Sequence, residues 1–192
     1  FQMRGAFRKI DFGDEASSAS LRRLMVKTAI TPGVVRLAEG LGLVAGFLTL
    51  HVALLEELHQ AIKCQLRGGR KWQTDKYAAV YFRAWRLAGA TAAVAADGAG
   101  SAQVLVALEN DCIQDLMSLA VHVQSTALSN TLARLLSYFH KHKPQQGVDE
   151  MLCRLYAPIL WRSLTVANPL VRRNAAVLFL DAFPVQDPAG SQ

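Results

Sequence analysis

Residues 148–183, VDEMLCRLYAPILWRSLTVANPLVRRNAAVLFLDAF, most constrain what this 192-residue chain folds into. Apolar side chains fall at Val148, Met151, Leu152, Leu155, Ile159 and Leu160, the spacing of one helix face over about four turns. Asn168-Pro169 interrupts the pattern. Asparagine suits a helix N-cap, and proline is tolerated at the first helical position because its missing N–H would have no partner there. The stripe resumes at Val171, Ala175, Leu178 and Ala182 and stops at Phe183-Pro184, since a residue before proline is pushed out of the α region. Two such helices joined by a turn cannot bury both apolar faces alone, so they are expected to be one unit of a helical array.

The rest of the chain reads the same way. Hydrophobic content of 52% excludes a disordered chain. Val and Ile do not gather in alternating runs, while Leu, Ala and Arg abound, which predicts an all-α fold. Residues 1–12 read as the tail of a helix and 13–20 as a loop, with Ser18 or Ser20 capping a helix over Leu21 to Ile30. Thr31-Pro32 opens the next helix. Gly40 and Gly42 predict a break, and Val44 to Leu66 a helix in two pieces meeting near Leu50-His51, with Leu54, Leu55, Leu58, Ile62 and Leu66 as its core stripe. Helices are further expected over 72–88, 102–123 and 126–142, and residues 91–101, TAAVAADGAGS, read as a low-complexity loop. Eight or nine helices in pairs amount to about four repeats in a single segment, 1–192, and the terminal repeats should each expose an apolar face. The chain begins at Phe1 without an initiator Met, and reads as an excised piece of a longer one.

The hairpin, with Pro158 inside its first helix, the turn Asn168-Pro169-Leu170-Val171-Arg172 and Ala175-Ala176 in its second, resembles a HEAT repeat. That family usually writes the turn Asp-Pro-x-x-x-Val-Arg, so Asn168 and the shorter spacing to Arg172 depart from it. Longer strings, among them Met151 to Arg162, Arg173 to Phe179, Tyr81-Phe82-Arg83-Ala84-Trp85 and Asn110 to Asp115, are similar to the family of G-type HEAT subunits of condensin II. The resemblance implies a HEAT-repeat α-solenoid, antiparallel helix pairs stacked into a curved superhelix, with 148–183 as its clearest repeat. It implies a scaffold in the nucleus, on the chromosome, for mitotic chromosome condensation. Its partners would be the kleisin subunit, the SMC ATPase heterodimer reached through the kleisin, and double-stranded DNA or chromatin. Asn168, Pro169, Val171 and Arg172 would then be structural turn residues, Arg172 bonding an acidic turn residue of a neighbouring repeat. A HEAT adaptor that binds protein partners only is the other reading.

Charge is unevenly placed within a net +6: residues 1–90 hold 14 Lys/Arg against 7 Asp/Glu, residues 91–192 hold 7 against 8. The asymmetry points to an anionic partner for the first half. Arg67, Arg70 and Lys71 cluster on one turn, and Lys76, Arg83 and Arg86 follow on the next helix, the pattern of a sequence-independent contact to DNA phosphates. The alternative is that Arg83 and Arg86 lie over the aromatic Tyr81 and Trp85. Catalytic chemistry finds little: Asp111 and Asp115 are an i, i+4 acidic pair, commoner on solvated faces than in active sites. His51, His59 and Cys64, or His140 and His142, lack the spacing that sets two ligands over one metal, and no nucleotide or hydrolase motif occurs. No cofactor, metal or small-molecule substrate is expected. Trp161 and Phe179 read as core or inter-repeat packing, and Cys64, Cys112 and Cys153 as buried thiols rather than a disulfide framework. The longest apolar run, Leu41 to Leu55, is broken by His51 and falls short of the roughly 20 residues of a membrane span.

Overall fold

The computed structural model describes residues 15–94 and 99–184. A first compact unit, Phe1–Ile113, contains α1 (Glu15–Ile30), α2 (Pro32–Arg36), α3 (Ala38–Phe47), α4 (Val52–Leu66), α5 (Lys71–Val94), α6 (Ala99–Ala107) and a π-helical turn (Leu108–Ile113). A second, Gln114–Gln192, contains α7 (Gln114–His122), α8 (Thr126–Lys141), α9 (Val148–Leu164) and α10 (Pro169–Ala182). All are helical, and no strand occurs among the described residues. The fold is all-α, built of packed helical hairpins of the HEAT-repeat type. No helix among the described residues is long and apolar enough to cross a membrane.

In the first unit α1 packs on α4, and α5 packs on α2, α3 and α6. The expected stripe Leu54, Leu55, Leu58, Ile62 and Leu66 is buried, as are Tyr77, Val80, Tyr81 and Ala84 of α5. The expected break near Leu50-His51 is present: His51 caps α4, its Nδ1 accepting from the Ala53 amide at 3.2 Å. Three expectations are corrected. Residues 15–20 belong to α1 rather than a loop, because Ser18 is buried and accepts from Arg22 Nη1 at 2.7 Å, while Arg22 Nε donates to Glu57 at 2.8 Å. The helix runs through Gly40 and Gly42, and the chain breaks instead at Leu37 (φ −88°, ψ 146°). Two glycines cost about 1 kcal/mol each, less than burying Leu41, Val44, Phe47 and Leu48 returns at about 1.5–3 kcal/mol per side chain. Of the stretch 91–101, residues 91–94 close α5 and 99–101 open α6, as alanine, the best helix former, favours. Residues 95–98, like the helix expected over 1–12, lie outside the described residues.

The second unit is organised on α7, which packs against α8, α9 and α10. Leu116, Met117, Ala120 and Val121 are buried, together with Leu132, Leu135, Leu136 and Phe139 of α8 and the stripes of the last hairpin. Of those stripes every position is buried except Ile159, which is half-buried. Polar bonds fix the register: Gln114 Nε2 donates to the Leu155 carbonyl at 3.0 Å, Ser129 Oγ to the Ala120 carbonyl at 2.8 Å, and Asn174 Nδ2 to the Val121 carbonyl at 3.1 Å.

The 165–168 turn makes α9 and α10 antiparallel neighbours. Asn168 Oδ1 accepts from the Leu170 and Val171 amides at 2.9 and 3.4 Å, and Pro169 takes the first helical position. Val171 is buried, and Arg172 Nη1 donates to the Val166 and Ala167 carbonyls at 2.8 and 2.6 Å. Arg172 thus closes its own turn. Asn168→Ala removes the cap and should cost about 1 kcal/mol, read as a fall of about 2–4 °C in melting temperature. An unchanged melting temperature would mean that the turn is held by Pro169 and Arg172 alone.

Candidate nucleic-acid interface

The basic turn between α4 and α5 is built by glycine. Gly69 takes φ +65°, a left-handed conformation open to it because it lacks a Cβ. The Arg67, Gly68 and Gly69 amides donate back to the Lys63, Gln65 and Leu66 carbonyls. The chain then re-enters a helix whose first turn holds no acid. Arg67, Arg70 and Lys71 are exposed and Lys76 is half-buried. None of the four forms an ion pair among the described residues. Arg70 and Lys71 at the start of α5 add to the positive end of its dipole, while Arg67, the C-cap of α4, offsets the negative end of that helix, so the exposed charge of this corner is positive.

Arg83 and Arg86, both exposed on α5, each also meet a neighbour. Arg83 Nη1 reaches the Ala38 carbonyl at 3.4 Å, and the Arg86 guanidinium lies 5.9 Å from the centre of the Trp85 ring. A residue the sequence did not single out does reach the corner. Arg36, at the end of α2, stacks 4.6 Å over the Trp72 ring, next to Lys71. Nothing local marks that pairing, because the two residues come together only when α2 packs on α5.

Elsewhere the candidate histidines are held by structural hydrogen bonds. His59 is buried with its Nδ1 2.7 Å from the Tyr81 hydroxyl, and Cys64 is exposed. Asp111 is exposed in the π turn, and Asp115 is half-buried on α7. Glu109 is buried and accepts from Trp85 Nε1 at 2.9 Å. His142 Nδ1 donates to the Tyr138 carbonyl at 2.6 Å and its ring stacks on the Tyr138 ring. His140 is engaged with Asp181 and Tyr156. No group of three metal-ligating side chains converges among the described residues. Only Cys112 of the three thiols is buried, so the expectation of buried thiols is corrected for Cys64 and Cys153. Partial burial and then the nearby Asp149 carboxylate push the Cys153 thiol up, away from reactivity.

An apolar groove of about 240 Å³ runs along the outer side of the last hairpin, lined by Cys153, Tyr156, Ala157, Leu160, Trp161, Leu164, Phe179 and Phe183. Trp161 is 68% exposed there. It is therefore no core residue of its unit.

Helical hairpins packed on shared apolar faces, with an exposed basic turn, define a chain of the HEAT-repeat class. This chain belongs to the family of non-SMC subunits of condensin II: the family model described as "Condensin II non structural maintenance of chromosomes subunit" matches residues 27–187. Among curated proteins it is similar to "Condensin-2 complex subunit G2" of Homo sapiens, 37% identical over 177 residues, and of Mus musculus, 36% identical over 176, each alignment covering 91% of this chain and 14% of the relative. The Danio rerio protein of the same name is 35% identical over 188 residues, covering 97% of this chain and 15% of that protein. The chain thus spans about one seventh of the length of these relatives. No solved structure matches it.

Proposed function

We propose that this chain is a non-catalytic scaffold segment of a condensin II G-type subunit, one continuous HEAT-repeat stretch that contributes to mitotic chromosome condensation in the nucleus. In this reading the turn Arg67, Arg70, Lys71, with Lys76, lies against the phosphates of double-stranded DNA. The segment adds to the surface that engages the kleisin, through which the SMC ATPase pair is held. The names of the relatives support the complex. The observation that carries the DNA contact is the set of unneutralised cations at the acid-free N-terminus of α5. Phosphates would satisfy that field without sequence preference, releasing counterions as they bind. The exposed Trp161 groove favours a second reading, a HEAT adaptor for protein partners only.

The test is the affinity of the chain for a short duplex of arbitrary sequence, measured by fluorescence anisotropy across roughly 50 to 200 mM salt. A steep loss with salt supports the DNA scaffold. Absent or salt-insensitive binding favours the adaptor.

A further inference from the structure

Three helices of the second unit converge on one imidazole. His140 of α8 is buried, with Nδ1 2.5 Å from Asp181 Oδ2 on α10 and Nε2 2.9 Å from the Tyr156 hydroxyl on α9. Ser137 Oγ, one turn earlier on α8, donates to the same Asp181 oxygen at 2.6 Å. Lys143, just past α8, donates to the Ala182 carbonyl at 2.9 Å, pairs with Asp149 at 3.0 Å and sits 4.5 Å over the Phe183 ring. The last turn of α10 is therefore held from α8 by Ser137, His140 and Lys143. Tyr156 and Phe183, edge to face at 6.2 Å, carry that restraint to the wall of the apolar groove, which both residues line.

A neutral ring satisfies the hydrogen bonds around His140 best. Asp181 as a carboxylate only accepts, so Nδ1 carries a proton and donates. Nε2 is then free to accept from the Tyr156 hydroxyl, and every polar atom of the chain Asp181–His140–Tyr156 is satisfied. A second ring proton would turn Nε2 into a donor and leave the buried tyrosine hydroxyl proton without its acceptor. We propose that neutral His140 is a proton-sensitive latch that fixes the C-terminal turn of α10, and with it the Phe183 side of the groove, and that protonation of the ring releases both.

The surrounding groups agree with that direction. Burial lowers the His140 pKa from its ordinary 6.5, and it outweighs the opposing pull of Asp181, while the Lys143 charge lowers it further. Burial raises Asp181, but the hydrogen bonds from Ser137 and His140 and the charges of His140 and Lys141 bring it below its usual value. Burial holds Tyr156 well above its usual value, as a phenol. Of the other titratable groups on these helices, His142 is turned to the Tyr138 carbonyl and His122 of α7 to that of Ser118; Asp149 pairs with Lys143, and α7 also carries Asp115. A ring held below its unfolded pKa binds fewer protons when folded. Its contribution is fully present above about pH 6.5 and is lost as the pH falls through the folded value.

Hydrogen exchange of the 179–183 amides between about pH 5 and 8, corrected for intrinsic rates, tests the latch on the 192-residue chain. Protection should be flat above about pH 6.5, fall by up to about tenfold per pH unit between there and the folded pKa, and level off below it. His140→Gln should remove this pH dependence. Should that variant fail to fold, the imidazole resonance of His140 in the unaltered chain decides, because the latch requires it to titrate below about 6.5. Titration at or above that value, pH-independent protection, or the same dependence in His140→Gln would each overturn the proposal.

Discussion

Gly40→Ala is expected to be an unusually costly one-carbon change. A Cβ built at Gly40 would overlap the Val34 carbonyl oxygen and come within 2.7 Å of its carbon. These are backbone atoms of α2, so no side-chain rotation relieves the clash. The two helices must separate, uncovering Val35 and Leu41, both buried. Overpacking a core typically costs about 1–3 kcal/mol, and an unyielding backbone puts this case near the top, about 3 kcal/mol. Gly42, two residues on in the same helix, is an internal control. It is exposed with nothing within 4 Å of its Cβ, so Gly42→Ala should stabilise by about 0.5–1 kcal/mol through helix propensity alone. Urea midpoints at unchanged slope measure both. Equal effects from the two would refute the close approach of α2 and α3.

Reversing the basic turn should separate stability from binding. In Arg67→Glu/Arg70→Glu/Lys71→Glu, three exposed charges change sign where none forms an ion pair among the described residues. Acids at positions 70 and 71 complement the N-terminal dipole of α5, each by about 0.3–1 kcal/mol, while one at position 67, the C-cap of α4, opposes that helix's dipole by a similar amount, so the fold should be kept with little net change. Duplex affinity at about 50 mM salt should fall on the order of 100-fold, and the slope of log affinity against log salt should flatten by about 0.9 for each phosphate no longer neutralised. Arg83→Ala and Arg86→Ala should change affinity little, because those side chains lie against Ala38 and Trp85. Undiminished binding by the triple variant would remove the turn from the proposed interface, whatever becomes of the scaffold reading.

What could be read from sequence was what is local. Apolar spacing located α4, α9 and α10, since a stripe at helical period implies a buried face wherever the partner lies. The Asn168-Pro169 start of α10 was legible for the same reason, as a cap bonds within three residues. Gly40 misled because propensity is a weak prior beside the packing of a whole helix face. Polar pairs across the core left no local trace. His59 with Tyr81, Trp85 with Glu109 and His140 with Asp181 lie 22, 24 and 41 residues apart, and only the assembled helices bring them together. The basic turn was visible as composition, whereas the engagement of Arg83 and the arrival of Arg36 over Trp72 depend on neighbours from other helices.

The way α7 bonds to its neighbours bears on how the chain is divided. It meets α8 across a short turn, but its links to Leu155 and Asn174 span 41 and 53 residues. The hairpin with the clearest repeat signature therefore borrows its inner wall from a helix that closes a large loop. A fragment starting at Val123 would retain α8, α9 and α10 yet strip the cover that α7 gives to their apolar faces. We expect such a fragment to give sparse, poorly dispersed amide spectra, where one starting at Gln114 gives sharp ones.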